Sequence, residues 1–277
     1  MKSIAPWFLI VGIVTMFVLM TLSQIGLHHL FETANYTFLP FKIVSMKVTG
    51  HLTAGLVILF FAWRECKKLK QSILSRLGLI KPKISWLDIL ALALGSLAFG
   101  WLARQLTGVL VELFSSQMPS EGPSPISAFE DLTTVWGILI VLLIALAPGF
   151  IEEIAYRGFL QRGLLKRYKP IVAIAISSII FGLAHIEPQE IIFTTFMGLW
   201  LGIIAYKMNS IWPTIVCHIA INGWSGSYLI GKQLWGFPET PPMIFNGLFF
   251  IALIYAITIL IRKKAKVDIA RYPVDVF

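Results

Sequence analysis

Hydrophobic positions along this chain gather into long runs rather than into a helical stripe or a strand alternation. The runs fall at roughly 4–27, 42–63, 86–113, 133–165, 170–186, 190–206, 211–230 and 243–261. Apolar stretches of about 20 residues are the length of a membrane-crossing helix. The pattern predicts eight helices in an all-α, polytopic membrane protein, with residues 1–277 as a single membrane domain. Connections are short except for 64–85 and 114–132. No internal repeat or low-complexity segment is present.

Polar residues between the runs predict the sidedness. Segment 64–85 carries Arg64, Lys67, Lys68, Lys70, Arg76, Lys81 and Lys83 against Glu65. Segment 162–169 carries Arg162, Lys166, Arg167 and Lys169, and the tail carries Arg262, Lys263, Lys264 and Lys266. Basic loops stay on the cytoplasmic side. Loop 114–132 has Glu121, Glu130, Asp131 and three prolines, Pro119, Pro123 and Pro125, without a base. It is expected to face outward. Eight helices with both termini cytoplasmic satisfy these assignments, in a multi-pass protein of a bacterial cell membrane.

Composition agrees. Hydrophobic residues make up 57% of the 277 and charged residues 13%, about half the usual charged share of a soluble domain. Mean hydropathy is +0.81. The net charge of +9 is accounted for by the loops, so no nucleic-acid partner is expected, and the surrounding partner is lipid. The two cysteines, Cys66 and Cys217, form no disulfide framework or zinc-ribbon spacing. Cys217 reads as a small packing residue. The first run has one nearby base, Lys2, and no small-residue cleavage site, so it reads as a retained helix.

Three polar clusters interrupt the runs. They are Glu152, Glu153 and Arg157 in "FIEEIAYRGF", His185 in "FGLAH", and His218 with Asn222 in "HIAIN". Polar groups at membrane depth are costly, and they mark cavities or partners. Residues four apart share a helix face, so Glu153 pairs with Arg157, and His218 points the same way as Asn222. Glu152 is turned about 100° from Glu153 and faces something else. If the fourth helix runs to about residue 168 and turns at Lys169-Pro170, Glu152 lies 17 residues before the turn and His185 lies 16 after it. Both are then about 25 Å from the turn, at one level. The fourth helix is expected to loosen near Pro148-Gly149. Gly198 and Gly202, four apart, either allow close helix packing or are incidental. His28, His29 and His51 receive no role.

A carboxylate, two imidazoles and a carboxamide around water suit hydrolysis. Glu152 is the candidate base, His185 a water holder, and His218 and Asn222 candidate oxyanion donors. Glu152, His185 and His218 equally supply a His₂Glu set for Zn. Both chemistries are open at this point. There is no H-E-x-x-H, which excludes the standard zincin arrangement. Taken singly, each cluster has a plainer reading: a structural ion pair for the acids and arginine, a helix-helix hydrogen bond for each histidine.

In order, the three clusters resemble the motifs of the CPBP family, also called Abi or type II CAAX prenyl endopeptidase-like intramembrane proteases: Glu-Glu-x-x-x-Arg, Phe-x-x-x-His and His-x-x-x-Asn. The matching residues are Glu152, Glu153 and Arg157, then Phe181 and His185, then His218 and Asn222. The resemblance implies an endopeptidase with an intramembrane active site reached from the cytoplasm, a catalytic core at 133–222, the first Glu as base, and supporting roles for Glu153, Arg157 and Phe181. It implies a peptide or lipidated-protein substrate. Eukaryotic relatives remove the last three residues of prenylated CAAX proteins. Bacterial relatives are linked to bacteriocin maturation or self-immunity. The short stretch between His185 and His218 leaves little room for an inserted substrate loop, which argues against CAAX-type specificity. Two other classes stay in play: a non-catalytic membrane scaffold or immunity protein on the same fold, and an ion or proton transporter. Against the transporter stands the lack of a repeated half.

Overall fold

A computed structural model of the chain describes residues 6–35, 38–114, 133–185, 187–238 and 243–263. All regular structure among the described residues is helical. In chain order it comprises α1 (Pro6–Thr33), α2 (Leu39–Leu69), the short α3 (Ile73–Leu77), α4 (Trp86–Phe114), α5 (Thr134–Glu152), a π-helical segment (Glu153–Gln161), α6 (Arg162–Leu164), α7 (Pro170–Leu183), α8 (Pro188–Met208), α9 (Trp212–Trp235) and α10 (Met243–Arg262). Among the described residues the eight hydrophobic runs thus become eight helical units, with α5, the π segment and α6 forming one of them. The loop with Glu121, Glu130 and Asp131, expected to face outward, lies outside the described residues, as do Lys264 and Lys266.

Among the described residues six helices are long and apolar enough to cross a bilayer. The other two carry the polar chemistry or are short. Helix α9 holds His218 and Asn222, and α7 has 14 residues. Proline sits at the first turn of α7, α8 and α9, where its missing N–H costs nothing. Left-handed residues end α2 at Lys70, α3 at Gly78 and α8 at Asn209.

The basic segment 64–85 is not simply a solvated loop. Helix α2 continues through Leu69, and α3 folds back against the π segment, with Arg76 and Leu77 buried. Arg76 Nε lies 2.7 Å from Glu65 Oε1, and Lys166 Nζ donates to the same oxygen at 3.0 Å. Burial lowers the Lys166 ammonium from its ordinary value. Arg76 also donates to the carbonyls of Gly158 at 2.8 Å and Phe159 at 3.0 Å. A π-helix is rare and tends to occur where function demands it. Here buried side chains tie its backbone to α3 and α8.

On the α8 side two glycines admit that contact. A Cβ on Gly198 would stand 2.9 Å from Ser178 Cβ, and one on Gly202 would stand 2.8 Å from Gln161 Oε1. With no side chain in the way, Gln161 Nε2 reaches Gly202 O at 2.9 Å and Arg157 Nη2 reaches Gly198 O at 3.4 Å. The close-packing reading of this glycine pair holds. Cys217 is buried and free, and packs in the apolar core with Trp200, Leu201 and Leu253.

Arg76→Ala removes one partner of a buried pair and is expected to cost about 3–5 kcal/mol. Lys68→Ala, on an exposed position, should stay within about 0.5 kcal/mol of wild type. Thermal unfolding of the two variants in detergent checks this. Equal melting would show that α3 does not anchor the π segment.

Candidate active site

The three polar clusters meet. Glu153 is fully buried on the π segment. Its Oε1 lies 2.9 Å from Arg157 Nη1 and 2.9 Å from His218 Nδ1. A carboxylate only accepts, so the proton of this hydrogen bond is on His218 Nδ1. His218 Nε2 then faces Glu152, 3.8 Å from its Oε2. Glu152, one residue earlier and rotated as expected, keeps a quarter of its side chain exposed and lines a cavity.

Phe181 explains its place in the second motif. It is 2% exposed, and the Arg157 guanidinium sits 4.4 Å over its ring. His185 and His218 both contact that ring edge-on, at 5.1 and 6.1 Å between centroids. Phe181 is thus the platform that sets Arg157 and the two imidazoles relative to one another. His185 hydrogen-bonds Phe181 O through Nδ1 at 3.0 Å, leaving Nε2 on the cavity side of the ring.

Asn222 solves a backbone problem. Pro148 lies inside α5 and has no N–H to give Ile144 O, four residues earlier. Asn222 Nδ2 donates to that carbonyl at 3.2 Å. The helix therefore runs unbroken through Pro148-Gly149, where loosening was expected. The departure from α geometry comes later, as the π segment from Glu153. The second amide proton of Asn222 remains for the cavity, which the residue lines.

The cavity has a volume of about 370 Å³. It extends from Glu152, His185 and His218 past Pro148 and Ile221 to Leu143 on α5 and Leu229 on α9. Most of its wall is apolar. In direction it runs away from the end of the bundle where the basic segments 64–85 and 162–169 gather. Lys47 and His51 on α2 also line it. His51 Nε2 is 3.7 Å from Glu152 Oε1. Sequence reasoning gave His51 no role, because it belongs to no spaced motif and lies about a hundred residues from Glu152. The only signal was a polar side chain within an apolar run.

As placed, no three His, Cys, Asp or Glu among the described residues are grouped so as to hold a metal.

Residues 134–224 match the family model described as type II CAAX prenyl endopeptidase Rce1-like. The match starts at the first residue of α5 and closes two residues beyond Asn222, so it contains all three motifs. Over 84 residues the chain is 26% identical to a protein of Bacillus subtilis (strain 168) named "Putative membrane peptidase YdiL". That alignment covers 30% of this chain and 34% of the relative, so the chain spans about a third of the length of the curated relative it matches. No solved structure matches the chain.

Two substitutions test the buried framework. Arg157→Ala leaves Glu153 charged and unpaired and is expected to cost about 3–5 kcal/mol, read as a lower melting temperature in detergent. Asn222→Ala orphans Ile144 O, at about 1–3 kcal/mol. In a Pro148→Ala background the new N–H takes that carbonyl, so the cost of Asn222→Ala should nearly vanish. If the cost is the same in both backgrounds, Asn222 is not the cap of the proline gap.

Proposed function

We propose that this chain, a CPBP family protein by its three motifs and the match over residues 134–224, is an intramembrane endopeptidase that hydrolyses a peptide bond with water activated by Glu152. The observation that carries the reading is the contrast between two adjacent carboxylates. Glu153 is fully buried, with its Oε1 held by Arg157 and His218 at 2.9 Å each and its Oε2 shut away from the cavity. Glu152 is partly exposed in a cavity and faces an imidazole pole at 3.8 Å. Of the two, only Glu152 is placed to work on a water molecule.

In this mechanism a water O–H bond breaks as its oxygen bonds the scissile carbonyl carbon, and the proton passes to Glu152. His185 holds the water. His218 Nε2 and the free amide proton of Asn222 face the oxygen that becomes negative. His218 Nε2 gives a hydrogen bond there when it carries a proton in addition to the one on Nδ1. As the tetrahedral species collapses, the C–N bond breaks and the proton leaves Glu152 for the amine. The apolar cavity favours a hydrophobic peptide segment or a lipidated protein, entering from the bilayer. Under the charge rule the basic end and both termini are cytoplasmic, and the cavity then opens through the bilayer or toward the opposite face. Metal assistance finds no support in the grouping of the side chains. A scaffold or immunity role would leave the exposed Glu152 and the cavity without a purpose.

Detergent-purified protein is assayed on fluorescein-labelled casein and on a farnesylated CAAX peptide. Wild type should cleave at least one. Glu152→Gln should remain folded and lose at least about 100-fold in rate, whereas Glu153→Gln should mainly lower the melting temperature. Wild type that is folded but cleaves neither probe, or Glu152→Gln at the wild-type rate, overturns the assignment. For sidedness, a reporter fused after Lys70 should report the cytoplasm. If it reports the outside, the orientation is reversed.

A further inference from the structure

The cavity wall carries one ammonium. Among the residues that line it, Lys47 of α2 is the single lysine or arginine, and Glu152 is the single acid. Lys47 lies inside the apolar span that begins at Phe41, about 9 Å along the helix from that residue. A charge at such depth is costly and faces a cavity or a partner. Lys42, nearer the start of the same helix, has a partner: its Nζ lies 2.9 Å from Glu32 Oε1. Lys166, at the basic end, donates to Glu65. The side chain of Lys47 is exposed and makes no hydrogen bond or ion pair among the described residues. Nor does Glu152 turn to it, since the two carboxylate oxygens face His51 and His218.

Its place on α2 sets a distance. The Lys47 carbonyl accepts from His51 Nδ1 at 2.8 Å, one helical turn on, and His51 stands beside Glu152. Lys47 is therefore displaced from the Glu152 level by about 6 Å along α2, away from the end where the basic segments gather. Helix side chains lean toward the N-terminus, so the ammonium continues in that direction, the one in which the cavity runs. Extended peptide covers such a distance in about two or three residues.

We propose that Lys47 is a specificity-determining residue: its ammonium receives a carboxylate of the peptide substrate, from the chain terminus or an acidic side chain, about two or three residues from the bond that faces Glu152. This rests on the hydrolytic reading of the site. The two charges on the wall are opposite in sign, so they orient the peptide. An acid is drawn to Lys47 and repelled by Glu152, and apolar walls focus that field. The preferred substrate is then an apolar peptide with one acid near the cut, rather than an apolar segment of any sequence. Lys47 makes and breaks no covalent bond.

The test uses the full chain in detergent with Lys47→Gln, Lys47→Glu and Lys47→Arg. The probes are a farnesylated CAAX peptide with a free C-terminus, the same peptide as its C-terminal amide, and the amide with glutamate as its last residue. Wild type should have a lower KM for the free acid or the glutamate peptide than for the plain amide. Which of the two it prefers tells the terminus from a side chain. In Lys47→Gln that preference should fall about 10- to 100-fold, the range for a hydrogen bond to a charged group, and through KM rather than kcat. Lys47→Arg should keep the preference and Lys47→Glu should reverse it. Each ranking is taken within one variant, so a partly unfolded fraction does not mimic it. A second arm needs no turnover: in a Glu152→Gln background, fluorescence anisotropy of the labelled peptides should give the same ranking of Kd, lost with Lys47→Gln. Wild type that prefers neither acid, or a preference that Lys47→Gln leaves unchanged, overturns the proposal. So does an unchanged ranking together with a melting temperature that phosphatidylglycerol raises in wild type but not in Lys47→Gln, because the ammonium then holds lipid phosphate. Should wild type cleave none of these peptides and no casein, the hydrolytic reading fails. The Kd ranking then decides by itself whether Lys47 receives a carboxylate.

Discussion

The buried carboxylate of Glu153 is the constraint from which the site follows. A charge with no exposure in a membrane protein is tolerable only when its partners are fixed. Arg157 and His218 meet it at 2.9 Å each, and each of those partners is fixed in turn. Arg157 lies over Phe181 and reaches Gly198 O. His218 is held by its Nδ1 and by the edge of Phe181. The π segment, α7, α8 and α9 are thereby locked around one oxygen atom. The three motifs are therefore a folding device in their own right.

Around that centre the backbone departs from regular helix twice, and both times a side chain answers. Pro148 frees Ile144 O, and Asn222 takes it. The π segment turns its Gly158 and Phe159 carbonyls toward α3, and Arg76 takes both while paired with Glu65. Where two helices must come close, glycine exposes a carbonyl that Gln161 or Arg157 can use. In a bilayer, water is not available to satisfy such groups. An irregular backbone at membrane depth therefore has to bring its own donors. This explains why the residues that look catalytic by type include several whose first duty is to the fold.

The legible parts of the sequence were those written in periodicity and local spacing. The apolar runs marked eight helical units, and the i, i+4 rule placed Glu153 with Arg157 and turned Glu152 aside. Counting residues from the Lys169-Pro170 turn brought His185 level with Glu152, and the cavity does contain both. What stayed hidden depends on contacts far apart in sequence. Nothing near Arg76 announces that it penetrates the core, since a base among bases reads as a topology signal. Nothing near His51 points to residue 152. The π segment has no signature of its own, because it is stabilised by contacts with α3, α7 and α8. Pro148 suggested a loosened helix, and the carboxamide that prevents this lies 74 residues downstream.

The two glutamates show how one chemical group is given two fates by a rotation of one residue. On the π segment Glu153 points inward to a cation and an imidazole N–H, which together hold its Oε1. Glu152 points across the cavity, where its neighbours are Nε2 poles at 3.7 and 3.8 Å. These distances are too long for a direct hydrogen bond, yet short enough for a proton or a small molecule to alter the balance. A base must be able to gain a proton, and so it cannot be saturated. It must also be held in place, and so it cannot be solvated like a surface acid. The cavity meets both conditions only because Glu153 absorbs the fixed charge of Arg157. Were Arg157 directed at Glu152 instead, the carboxylate in the cavity would be pinned and the protected one would have nothing to hold. On the proposed mechanism the order of the pair in the sequence therefore matters, and exchanging the environments of the two acids would remove the proposed base without removing a single functional group.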